Sequence, residues 1–197
     1  MQKIRTVAIP FFICALVAAC NSDYIIKPRG YYKIDLPQKK YQKFEQAGYP
    51  YSFEYPVYGT VVKDTSFFEA KPENDYWINI DFPQLNSRIH ISYKDVVSNS
   101  FDSLVNDSYT MAYKQHTNVA TGIKPVPFTT PGGLEGVYFS LKGNTATANQ
   151  FFVTDTVKHF LRGALYFDAT PNEDSLRPVN EFLKTDLEHL INTIKWK

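Results

Sequence analysis

The stretch YWINIDFPQLNSRIHISYK, residues 76–94, decides the architecture. Trp77, Asn79 and Asp81 alternate with Ile78, Ile80 and Phe82, and beyond a break Arg88, His90 and Ser92 alternate with Ile89, Ile91 and Tyr93. A strand turns successive side chains to opposite faces, so this period of two places the isoleucines on one side of an antiparallel hairpin. Residues 83–87, PQLNS, supply its turn.

The same pattern continues outward. YPYSFEYPVYGTVVKD, residues 49–64, reads as two strands: Tyr51, Phe53 and Tyr55 alternate with Ser52 and Glu54, and residues 57–62 are rich in β-branched side chains. Pro50 and Pro56 place the first at an edge or corner. Three or four further strands follow in VATGIKPVPFTT (119–130), LEGVYFSLKG (134–143), TANQFFVTD (147–155) and KHFLRGALYFDA (158–169). Gly132-Gly133, Gly143-Asn144 and Asp155-Thr156 mark the turns between them.

Two segments change period. In NSFDSLVNDSYTMAYKQH, residues 99–116, Phe101, Leu104, Val105, Met111 and Ala112 recur near helical spacing with Ser108 on their face, and Ser98, Asn99 or Ser100 can cap the start. Its Asn, Ser and Thr weaken helix propensity, so packing must hold it. In NEDSLRPVNEFLKTDLEHLINTIKW, residues 172–196, Leu176, Val179, Leu183, Leu187, Leu190 and Ile194 form a stripe that Phe182 and Ile191 widen. Asp174 and Ser175 are expected to start it, with Pro178 in the first turn. The expected fold is α+β: a single domain with a central antiparallel β-sheet of seven or eight strands and two long amphipathic helices packed on it. The helices can share a face or take one each, and the aromatic-rich strands favour one on each.

The N-terminus carries different information. Lys3 and Arg5 precede the apolar run TVAIPFFICALVA, residues 6–18, as in a secretory signal. The run is short for a membrane span, and Pro10 interrupts it. Val17, Ala18 and Ala19 directly before Cys20 have the form of the lipobox of bacterial lipoproteins. Residues 1–19 are therefore expected to be a cleaved signal peptide, and residues 20–27 a lipidated N-terminus and short linker. Residues 28–197 are expected to form the domain, beginning with an extended arm. On Cys20 a diacylglycerol joined by an N-acyl chain such as palmitate exceeds the single chain that binds only reversibly. The only other cysteine, Cys14, lies within the signal. The mature body then has no disulfide, no thiol nucleophile and no cysteine-based metal site.

Composition excludes further classes. A net charge of +1 with interspersed Lys, Arg, Asp and Glu offers no basic stripe for nucleic acid. The 15 Phe and 14 Tyr chiefly fit a β core, with some tyrosines available to an interface. No Gly-x-Ser-x-Gly or Ser-x-x-Lys occurs, and TPGGLEG, residues 130–136, reads as a turn rather than a phosphate loop. His90, His116, His159 and His189 show no metal-ligand spacing. Catalytic residues, cofactors and a small-molecule substrate are not expected.

Partner contact is the remaining role. Arg162 sits among Phe160, Leu161, Ala164, Leu165, Tyr166 and Phe167. On a central strand it needs a buried carboxylate or carbonyl partner; at an edge it could reach another protein. Gly163 beside it implies a bulge or a close backbone approach. Arg29, Tyr31, Tyr32 and Lys33, in the arm PRGYYKIDLP, are the other contact candidates, since Tyr and Arg are enriched at binding hot spots.

Together KPRGYYKIDLP, YPYSFEYPVY, NSRIHISYK and the block from Ala146 to Trp196 resemble the gliding motility lipoprotein GldD family of the Bacteroidota. The resemblance runs over essentially the whole chain, and it rests on the order of these blocks rather than on one diagnostic motif. It implies an envelope lipoprotein required for gliding and linked to the type IX protein secretion system. Such a protein would work non-catalytically through contacts with other gliding or secretion proteins. In that phylum, acidic runs after the lipidated cysteine mark export to the cell surface. Asn21-Ser22-Asp23-Tyr24 carries one acid, which favours the periplasmic face of the outer membrane. The competing reading is a periplasmic lipoprotein that binds a small apolar ligand or a glycan.

Overall fold

The computed structural model describes residues 33–65 and 72–197. Cys20, Arg29, Tyr31 and Tyr32 lie outside the described residues. Contacts divide the chain into residues 1–34 and 35–197, and the elements below all belong to the second unit.

The hairpin is present as β4 (Ile78–Phe82) and β5 (Ser87–Asp95), joined by a 3-10 turn at Pro83–Leu85. Asn86 closes the turn in the left-handed conformation (φ 44°), which asparagine tolerates better than most residues. Ile78 faces Ile91 and Ile80 faces Ile89. The other strands are β1 (Tyr41–Phe44), β2 (Tyr51–Pro56), β3 (Thr60–Lys63), β6 (Ala120–Thr129), β7 (Glu135–Gly143), β8 (Asn149–Thr154), β9 (His159–Phe167) and β10 (Lys195–Trp196). The helices are α1 (Phe101–Tyr113) and α2 (Glu173–Thr193). The described residues thus form an α+β domain of two helices and ten strands in two antiparallel sheets.

Seven strands form the large sheet in the order β3-β4-β5-β9-β8-β7-β6, and β1-β2-β10 form the small one. The expected strand count rises because β1 and β10 are short additions to the two edges of β2. The C-terminal helix correspondingly ends at Thr193; Ile194 caps it and stays buried, and Lys195 and Trp196 leave as strand. Its start is also corrected. Asn172, not Asp174 or Ser175, is the N-cap, its Oδ1 accepting from Ser175 N at 2.9 Å. Pro178 consequently lies in the second turn, where it cannot donate to the residue four back.

The helices take opposite faces. Val179, Leu183, Leu187, Leu190 and Ile191 of α2 pack on Ile78, Ile80, Ile89, Ile91, Phe151, Leu161 and Leu165, and the inner side of the small sheet (Phe44, Tyr51, Phe53) completes this core. Leu104 and Ala112 of α1 pack on Phe139, Leu141, Phe152 and Phe160. Neighbours Phe151 and Phe152, or Phe160 and Leu161, thus serve different cores, and all six residues of β8 are buried. Gly163 makes a close approach rather than a bulge. The register through β5, β9 and β8 is unbroken, and the Phe151 ring lies where a Cβ would stand. The outer strand β6 carries Pro125 and Pro127, which lack the N–H that an added strand would need.

Candidate functional site

Two polar arrangements stand out against these cores. The first fastens the segment that leads from the N-terminus. Asp186 is 1% exposed although it lies on the apolar face of α2. Its carboxylate accepts from the Tyr41 hydroxyl at 3.0 Å and from the Tyr58 hydroxyl, and it pairs with the Lys39 ammonium at 2.7 Å. Lys39 also donates to Phe182 O at 2.6 Å and lies 3.6 Å above the Phe182 ring. Tyr41 stacks on His189 at 3.6 Å between ring centres, and His189 Nε2 lies 2.7 Å from Glu54 Oε2.

Burial here shifts ionisation. Desolvation, then the bond to Asp186, raises the Tyr41 hydroxyl to about 12, and the same causes raise Tyr58. Desolvation lowers Lys39, opposed by its attraction to Asp186. Both tyrosines therefore stay protonated donors, and the buried carboxylate is held by one cation and two hydroxyls. The arm is thus an integral part of the folded body from Lys39 onward. Asp186 was missed in the sequence, although one acid inside the stripe Val179, Leu183, Leu187, Leu190 was a readable signal.

The second arrangement surrounds Arg162. β9 is the middle strand of seven, so Arg162 is not at an edge, and that route to a partner is corrected. Its expected carbonyl partner is the side chain of Gln150, whose Oε1 accepts from Arg162 Nη2. Side chains in register across this face include Asn79, His90, Ala164 and Gln150 in one row and Ser92, Arg162 and Phe152 in the next. Lys33 is exposed. Cys20, Arg29, Tyr31 and Tyr32 are outside the described residues.

The histidines occupy structural surroundings. His159 Nδ1 lies 2.7 Å from the Tyr93 hydroxyl, and its ring stacks on Trp196. His116 Nδ1 lies 3.2 Å from Ala112 O. Among the described residues, no three His, Cys, Asp or Glu gather as metal ligands. No described helix is long and apolar enough to cross a membrane.

Residues 21–196 match the family of the gliding motility lipoprotein GldD. The chain belongs to that family. The match begins one residue after Cys20 and takes in β1 to β10, both helices and the Asp186 cluster. Family membership makes this a gliding motility lipoprotein held at a membrane of the cell envelope, and the family is one of motility lipoproteins rather than of enzymes. No curated protein matches the chain. Among solved structures it is similar to that of cyanobacterial PsbP (CyanoP) from Synechocystis sp., with a TM-score of 0.47 and 10% identity over 87% of this chain and 99% of that one.

Proposed function

We propose that this protein supports gliding motility and the type IX secretion system by protein–protein contact, while lipid on Cys20 holds it to the periplasmic face of the outer membrane. The observation that carries this reading is the family match beginning directly after Cys20. The mechanism is positional. Anchoring confines the body to a surface and raises its effective concentration toward partners confined there. The arm residues Arg29, Tyr31, Tyr32 and Lys33, next to the anchor in sequence, are the proposed contact surface.

Deleting the gene should abolish colony spreading and secretion, and a Cys20→Ala form should fail to restore them. Full restoration by the unanchored form removes the anchoring step. Replacing Arg29 and Tyr32 by Ala should lower the recovery of co-purifying gliding proteins, and unchanged recovery removes the arm.

One observation favours the ligand-binding reading. A groove of about 540 Å³ runs between α1 and the β6–β7 hairpin, walled by Phe101, Val105, Tyr109, Phe128 and Phe152. That volume lies within the roughly 300–1,000 Å³ of small-molecule sites. Native mass spectrometry of protein released gently from its own membranes decides it: a bare chain mass speaks against a resident ligand.

A further inference from the structure

We infer that the Asp186 cluster is a mechanical clasp: it fixes where the membrane tether ends, and it passes a pull on that tether to helix α2 rather than to strand β1. The inference rests on the lipid anchor proposed for Cys20 and goes beyond it, to how tension between anchor and body is carried.

Chain order sets the problem. A pull from Cys20 travels along the arm and meets Lys39 and Tyr41 as it enters β1. β1 is four residues long, lies at the edge of the small sheet and pairs only with β2. Gln42 and Lys43 at its middle are exposed. A short pairing of this kind is marginal by itself, so it is a weak place from which to hold a body.

The cluster lies at that entry and joins separate segments to one helix. From the arm, Lys39 reaches Asp186 and Phe182 O, and Tyr41 reaches Asp186 and stacks on His189. From the β2–β3 connection, Tyr58 donates to the same carboxylate and stacks on the Phe182 ring. From β2, the Glu54 carboxylate meets His189 Nε2 at 2.7 Å, and the Glu54 N–H donates to Thr193 Oγ1 at 2.9 Å. All of these end on residues 182–193 of α2, where Leu183, Leu187 and Leu190 are wholly buried in the main core. A pull that reaches Asp186 is therefore opposed by the packing of the whole helix.

The polar chemistry fits this task better than it fits stability alone. Apolar residues of similar volume often stabilise as well as a buried ionic group does. Apolar contact has no direction and lets an extended segment slide. A hydrogen bond weakens steeply once its geometry is lost. Lys39 and Tyr41 grip the same carboxylate from two residues apart, and a slip of one residue along an extended chain, about 3.3 Å, carries both donors out of place. The clasp also sets a length. Residues 20–38 precede it and span at most about 65 Å. Opening the clasp together with β1 frees residues 39–50, which adds at most about 40 Å.

The test is single-molecule force spectroscopy on the mature chain, residues 20–197, made without lipid. One handle is placed on the thiol of Cys20 and the other on a Val157→Cys substitution in the exposed turn between β8 and β9. The parent should release the arm only together with the body. Lys39→Met combined with Tyr41→Phe should add an early step of at most about 40 Å. At a fixed force that opening should be at least about tenfold faster than any arm release in the parent, the factor implied by losing one hydrogen bond to a charged acceptor. The later step, unfolding of the body, should keep the parent's force, which also shows that the variant folds. Lys43→Ala, on β1 but paired with Glu45 at the surface, should behave as the parent. Four results overturn the inference: an early step in the parent as easy as in the double variant, no early step in the double variant, the same early step in Lys43→Ala, or a fall of both steps together. Motility of the Cys20→Ala form reports on anchoring and this experiment on the clasp, so the two readings fail separately.

Discussion

The Asp186 cluster yields the sharpest prediction. Asp186→Asn conserves volume while replacing one acceptor oxygen by a donor. In the native protein three donors converge on the carboxylate: the Lys39 ammonium at 2.7 Å, the Tyr41 hydroxyl at 3.0 Å and the Tyr58 hydroxyl. Hydrogen bonds to a charged acceptor contribute about 1.5–3 kcal/mol each. The Lys39 side chain keeps 30% of its surface in water, so its share falls toward the ~0–1 kcal/mol of exposed pairs. Of the two hydroxyls, one retains Oδ1 and the other meets the new NH2 group. The net loss is about 2–4 kcal/mol, which for a chain of this size is a fall in melting temperature of roughly 4–16 °C. Circular-dichroism melts measure it. The companion variant is Tyr58→Phe, and the double mutant should recover more than about 0.5 kcal/mol of the summed losses because the two groups touch. A fall below about 2 °C, or strictly additive losses, refutes the assignment of net stability to the cluster.

Two other perturbations test the core and the histidines. Gly163→Ala would put a Cβ 2.2 Å from Phe151 Cε1, and Phe151 is wholly buried. Displacing that ring should cost at least about 1–3 kcal/mol in urea unfolding, and an unchanged midpoint contradicts the close approach. Desolvation lowers His90, His116 and His159 below their ordinary value of 6.5. Below that pH the unfolded chain takes up protons that the folded chain resists, so stability should fall as pH drops from about 6.5 toward the folded values. NMR titration of His159 with a midpoint at or above 6.5 would count against this. The proton should be lost with little effect on the neighbouring Tyr93, which burial raises to about 12.

How much was legible depended on the range of the interaction. The β4–β5 hairpin and the α2 stripe are written in nearest-neighbour periodicity, which each segment carries by itself. The short strands β1 and β10 carry no such pattern. They exist because β2 offers hydrogen-bonding groups on both sides, and β10 comes from residues that extended the helical stripe. Residues of like type in one run were also split between environments: Phe151 and Phe152 are indistinguishable in sequence and serve opposite cores.

The sequence by itself determined the class of elements, the buried faces of the main strands and of α2, and the family resemblance, because these are properties of contiguous residues. The tertiary structure decided which strand lies in the middle, and with it the meaning of Arg162. β9 pairs β5 from some seventy residues away and β8 from across a tight turn, so an arginine readable as an edge contact is enclosed between neighbours and bonded to Gln150. It also brought Lys39, Tyr41 and Tyr58 to Asp186 across more than a hundred residues. A charge is an ordinary surface group or a buried polar centre according to what folds over it, and only the assembled chain supplies that cover.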